Sequence, residues 1–68
     1  MKSYRILGYN YLTNTSETFT LFSLSGAIGY SVDFLTSRFD ELDIFEYSNG
    51  INRIKFHSNN ETGYTQFF

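Results

Sequence analysis

Residues 43–57 read DIFEYSNGINRIKFH, two runs of β-forming residues on either side of Asn49-Gly50. Asn-Gly is the preferred filling of a two-residue hairpin turn, because both central residues take positive φ. With Asn49 and Gly50 as the loop, Ser48 pairs with Ile51 and Glu46 faces Arg53. Alternation along the strands then puts Phe45, Tyr47, Ile54 and Phe56 on one face. The other face shows Ile44, Glu46, Arg53 and Lys55, a wet surface with a Glu46–Arg53 cross-strand pair worth at most about 1 kcal/mol. Residues 58–63 (SNNETG) form a second turn, and Tyr64 to Phe68 read as a last strand. Folded back beside residues 53–57, that strand adds Phe67 to the Ile54/Phe56 face.

Upstream of this hairpin the periodicity changes. Ile28, Val32, Leu35, Phe39 and Leu42 follow one another at spacings of four, three, four and three. That is one apolar stripe of an amphipathic helix spanning about residues 27–41. Ser25 is the expected N-cap. Asp40 and Glu41 fall at the far end, where the helix dipole favours cations instead. Tyr30 and Phe34 lie off the stripe.

Tyr4 to Leu12 and Glu17 to Leu24 are two further strand candidates joined by the turn residues Thr13-Asn14-Thr15-Ser16. A four-residue loop there sets Leu12 opposite Glu17 and Gly8 opposite Leu21. One face of this first hairpin carries Tyr4, Ile6, Leu12, Phe19 and Leu21; the other carries Leu7, Tyr9, Tyr11, Phe22 and Leu24. The slip between Phe19/Leu21 and Phe22/Leu24 is also what a bulge near residue 21 gives. The element order is therefore ββαβββ: an α+β fold, one amphipathic helix packed on a four- to five-stranded antiparallel sheet. Residues 1–68 make a single compact domain.

Sixty-eight residues lie near the lower limit for a self-supporting core. With no Cys and one His, disulfides and most zinc sites are excluded as the staple. Eight Phe and six Tyr supply large apolar area instead. No charged-then-apolar leader with a cleavage site is present and no apolar run approaches the roughly 20 residues of a membrane-spanning helix, so a cytoplasmic protein without membrane association is expected. Net charge is −2, against the basic surplus of a protein held to nucleic acid by phosphate contacts.

The catalytic inventory is short. His57 stands alone at a strand end, and one helix on a small sheet leaves little room for a pocket. Gly26-Ala27-Ile28-Gly29 precedes a helix but lacks the Lys-Ser/Thr of a phosphate loop. No catalytic residue, cofactor or metal is expected, since Asp40, Glu41, Asp43 and Glu46 match no calcium loop. Those carboxylates are either a solvated helix-to-strand junction or a docking patch for a basic partner. Arg53, Lys55, His57, Tyr64, Gln66 and Phe68 are expected to project together, an arrangement that can stack bases and follow a phosphate backbone.

The stronger signal is surplus aromatic surface. One helix covers one sheet face, leaving Leu7, Tyr9, Tyr11, Phe22 and Leu24 uncovered, and contiguous apolar patches mark interaction surfaces. With Asp40, Glu41, Asp43 and Glu46 they form the expected protein-binding site. The function expected is a non-enzymatic protein-binding module, an inhibitor or adaptor acting by surface occlusion. Its partner is another protein, one with a basic nucleic-acid-binding surface fitting the acidic cluster. In size, acidity and aromatic content the chain resembles small phage-encoded proteins that inhibit or redirect host machinery, including anti-CRISPR proteins. That resemblance is compositional, involves no motif, and implies a bacterial host cytoplasm. The alternatives are a single-stranded nucleic-acid-binding sheet using Arg53, Lys55 and Tyr64, which the charge disfavours, and a homo-oligomeric structural subunit, for which a homodimer would account for the surplus aromatics.

Overall fold

The computed structural model describes residues 2–68. Its elements are β1 (Ser3–Asn10), β2 (Thr15–Leu21), α1 (Leu24–Tyr30) continued by a π-helical segment (Ser31–Leu35), β3 (Glu41–Ser48), β4 (Ile51–Asn59) and β5 (Tyr64–Phe67). All five strands join one antiparallel sheet in the spatial order β2-β1-β3-β4-β5. This is the expected ββαβββ α+β fold, with the helical segment on one face.

Asn49 and Gly50 take φ of 53° and 76°, the left-handed values the turn requires. Beside the turn the register is as expected: Ser48 pairs with Ile51, Glu46 with Arg53, and Phe45 with Ile54. One residue further the alternation breaks. Ile44 pairs with Phe56, so Lys55 is an extra residue on β4, a β-bulge. A one-residue slip exchanges the faces of everything beyond it.

The bulge corrects the sequence-based faces. Ile44, expected to be wet, is completely buried, and Phe56 is buried beside it. Phe45 and Tyr47, expected in the core, lie with Ile54 on the opposite face. Phe67 does join Phe56, with rings 5.1 Å apart at 70°, though it remains largely exposed. Arg53 faces Glu46 without forming an ion pair among the described residues. The Glu46 carboxylate instead accepts from the Tyr4 hydroxyl at 2.9 Å and lies 3.7 Å from Lys2 Nζ.

The first hairpin closes earlier than expected. Asn10 pairs with Thr15 and Gly8 with Glu17, and residues 11–14 form the loop. Asn14, at φ 54°, supplies the left-handed position there. Both strands slip by the same amount, so the faces survive: Tyr4, Ile6, Phe19 and Leu21 still share one side. Leu12 leaves the strand and is 93% exposed. Pairing is regular through Leu21, so no bulge forms there.

The helix also differs. Its N-cap is Ser23, whose Oγ accepts the Gly26 N–H at 3.0 Å, not Ser25. It begins three residues before the expected start and ends at Leu35. The Thr36 N–H bonds the Ser31 carbonyl five residues back, at 3.0 Å, which widens the last turn. The buried positions become Ala27, Ser31 and Leu35, and Val32 turns outward. Ser31 is accommodated because its Oγ donates to the Ala27 carbonyl at 2.8 Å.

Phe39 follows the helix and closes the core. Its ring lies flat against β1 at Gly8, where a Cβ would stand 2.7 Å from ring atoms. It meets Phe19 edge-on, with centroids 6.2 Å apart. Ile6, Leu35, Leu42 and Ile44 are fully buried under this layer, each stabilising by about 1.5–3 kcal/mol through apolar burial.

Candidate functional site

The helix and Phe39 cover the face of the sheet that carries Ile6, Leu42, Ile44 and Phe56. Nothing among the described residues covers the other. Strand register lays that open face out in cross-strand rows. Arg5, Phe45 and Ile54 form one, Leu7, Asp43, His57 and Gln66 the next, and Tyr9, Glu41, Asn59 and Tyr64 a third. Its apolar end holds a shallow hollow of about 250 Å³ lined by Arg5, Leu7, Thr18, Phe45 and Asn52.

The polar end is a side-chain cluster. Glu41 and Asp43 are two residues apart on β3 and so point the same way. His57 sits opposite Asp43 on β4, and its Nδ1 is 2.6 Å from Asp43 Oδ1. One ligand-type atom from each of Glu41, Asp43 and His57 lies within 4.8 Å of the other two. The Tyr11 hydroxyl reaches over from the first hairpin loop and donates to Glu41 Oε2. Asn59 Nδ2 donates to the same hydroxyl at 3.4 Å.

Tyr11 is held by further contacts. Its N–H donates to Asp40 Oδ2 at 2.7 Å, and its ring meets Tyr9 edge-on at 5.4 Å. The hydrogen bond to Glu41, followed by burial and the Glu41 charge, pushes the Tyr11 phenol up to about 12. It therefore remains a proton donor to Glu41 throughout the neutral range.

Of the residues expected to form the binding site, Leu7, Tyr9, Tyr11, Glu41 and Asp43 do gather on or beside this face. The other four do not. β2 ends at Leu21, so alternation stops before Phe22, which is exposed in the connection to the helix. Leu24 is the first helical residue and packs against the core on the covered side. Glu46 pairs with Tyr4 on that same side. Asp40 is not at a helix end at all: it accepts from Tyr11, and its backbone N–H donates to the Tyr9 carbonyl at 2.9 Å. The electrostatic oddity that marked Asp40 and Glu41 for docking is thus absent.

The proposed nucleic-acid row is split by the bulge. Arg53 stays with Glu46 on the covered side, whereas His57 and Tyr64 stand on the open side with rings 6.0 Å apart. Phe45, Ile54, His57 and Asn59 belong to the open face and were not expected to meet Glu41 and Asp43 there. A second shallow hollow, lined by Lys2, Glu46, Ser48, Asn49, Ile51 and Arg53, lies near the Asn49-Gly50 turn. His57 borders neither hollow. No helix among the described residues is long and apolar enough to cross a membrane.

No family model matches this chain, and neither a curated protein nor a solved structure matches it.

Proposed function

We propose that this protein is a non-enzymatic binding module whose open sheet face docks a partner protein bearing basic side chains. One observation carries this: a single helical layer on a five-stranded sheet leaves Leu7, Phe45 and Ile54 only half-buried beside exposed Tyr11, Tyr47 and Tyr64. Tyr and Phe around an apolar centre are the residues that anchor interfaces. Glu41 and Asp43 add negative charge at one end, which favours encounter with a basic surface. The mode of action is occlusion, as an inhibitor or adaptor. This is the mode implied by the compositional resemblance to phage-encoded inhibitors such as anti-CRISPR proteins, with the bacterial host cytoplasm as its setting.

The test is capture from a bacterial lysate by the wild-type chain and by two variants whose folds are checked by circular dichroism. Tyr11→Ser with Tyr47→Ser should release the captured protein, and Phe22→Ser with Phe34→Ser should retain it. The reverse pattern, or equal retention by both variants, rejects the open face as the docking surface. Glu41→Lys with Asp43→Lys should slow association most at low salt. Molar mass measured on the same samples identifies the remaining occupant, since a dimer abolished by the first variant would make the partner a second copy of the chain.

A further inference from the structure

We propose that Glu41, Asp43 and His57 bind a divalent first-row transition-metal ion, Zn²⁺ foremost, on the open face of the sheet. The donors are two carboxylates and one imidazole, fixed by neighbouring strands rather than by a loop. Glu41 and Asp43 are held at alternate positions of β3, and the Asp43–His57 pairing sets the third donor across from them. Zinc–ligand bonds of roughly 2.0–2.2 Å at a tetrahedral ion place two donors about 3.3–3.6 Å apart. The three donor atoms already lie within 4.8 Å of one another. Small rotations of half-buried side chains on a fixed backbone close the difference.

The donor chemistry selects the ion. Ca²⁺ takes six to eight oxygen ligands, and Mg²⁺ prefers oxygen in near-ideal octahedra. A nitrogen donor beside two carboxylates suits the later first-row ions instead. Three protein ligands leave a fourth position for water or for an external donor. If His57 Nδ1 is the ligating atom, the Zn–N bond replaces its hydrogen bond to Asp43 Oδ1 and the neutral ring carries its N–H on Nε2. If Nε2 ligates, Nδ1–H keeps the bond to Asp43.

The outer shell is already in place. The Tyr11 hydroxyl occupies Glu41 Oε2, which leaves Oε1 for an ion and fixes the carboxylate's direction. Asn59 braces that hydroxyl in turn. This second layer joins the first hairpin loop to the ligand cluster, so the two regions should respond to the ion together. The proposal is independent of protein docking and stands or falls without it.

The experiment titrates Zn²⁺ into the tag-free full chain, followed by calorimetry and by the imidazole ¹⁵N resonances of His57. Saturation at about one ion per chain, with His57 nitrogen shifts that track the heat, is the expected result. His57→Ala and Asp43→Asn should each weaken binding by more than the 10- to 100-fold typical of an outer-shell partner, and Tyr11→Phe by about that amount. Amide spectra of each variant establish that it remains folded, and the near-isosteric Asp43→Asn serves if His57→Ala does not. Three results would overturn the site: no saturable binding, binding undiminished in the folded variants, or displacement of Zn²⁺ by an equal concentration of Mg²⁺. The last would mean a diffuse carboxylate surface instead of a built site.

Discussion

The Tyr4 hydroxyl donates to Glu46 Oε2 at 2.9 Å across the β1–β3 pair, where the two residues are register partners. Tyr4 is buried at the end of the core row, so the bond ties the covered face of the sheet to its margin. That hydrogen bond holds the Glu46 carboxyl below its ordinary range, with Lys2 and Lys55 adding smaller contributions against burial. The same bond raises the Tyr4 phenol.

A carboxyl whose folded pKa is depressed stabilises the fold above its unfolded pKa, and that contribution is lost as pH falls through the folded value. Tyr4→Phe should therefore lower stability at neutral pH and flatten its decline on acidification below about pH 4.5. Chemical denaturation at pH 7 and pH 3 checks this. The gap between wild type and variant should narrow at the lower pH, and a constant gap would show that Tyr4 acts through packing alone.

The bulge at Lys55 predicts an asymmetry between two adjacent residues. Ile44→Ala should cost about 2–5 kcal/mol, the usual range for emptying a fully buried aliphatic site. Phe45→Ala, on the open face, should cost clearly less although it removes a larger side chain. Urea denaturation of both variants decides it. If Phe45→Ala is the more damaging, the unbroken alternation is the correct register.

Ser23 and Ser25 offer a similar contrast. Loss of the Ser23 Oγ acceptor for the Gly26 N–H should cost about 0.5–2 kcal/mol. Ser25→Ala should stay within about 0.5 kcal/mol, as for an exposed position without a specific role. Thermal melts of the two alanine variants measure the difference. A larger loss at Ser25 would move the helix start two residues downstream.

Legibility in the sequence followed the reach of each signal. Asn49-Gly50 fixed a turn because two positive φ values are a local demand that few residue pairs meet. Its register was right for as far as alternation held. Lys55 carries no Gly or Pro to announce an extra residue, and the interruption is decided by which side buries Ile44, a tertiary matter. The helix was visible from its periodicity, but the wider turn at Ser31–Leu35 shifted its phase, so a serine took the place of Val32 in the core. In the first hairpin Thr13–Ser16 looked like the loop, yet Tyr11 and Leu12 gave up the strand; Tyr11 is held out of it by Asp40 and Glu41.

The polar cluster was hidden for the same reason as the faces. Counted from the turn without a bulge, His57 falls opposite Leu42, on the wrong side of the sheet. Only the bulge, which leaves Lys55 unpaired, brings it opposite Asp43. Glu41 and Asp43 stand out in the sequence as acidic neighbours, but the change of phase that supplies their partner leaves no mark in it.

Lys55 is one residue more than the β3–β4 ladder uses, and the bulge absorbs it locally. Between the Asn49-Gly50 turn and Phe56, a three-base deletion that removed Lys55 would alter no neighbouring side chain. It would return β4 to plain alternation, keeping Ile54 opposite Phe45, Phe56 opposite Ile44 and His57 opposite Asp43. An added residue at the same point would instead have to be absorbed by a wider bulge or re-phase everything beyond it. The interior and the cluster on the outer surface are coupled because Phe56 and His57 are neighbours on one strand beyond the bulge, so that neither can be re-phased alone.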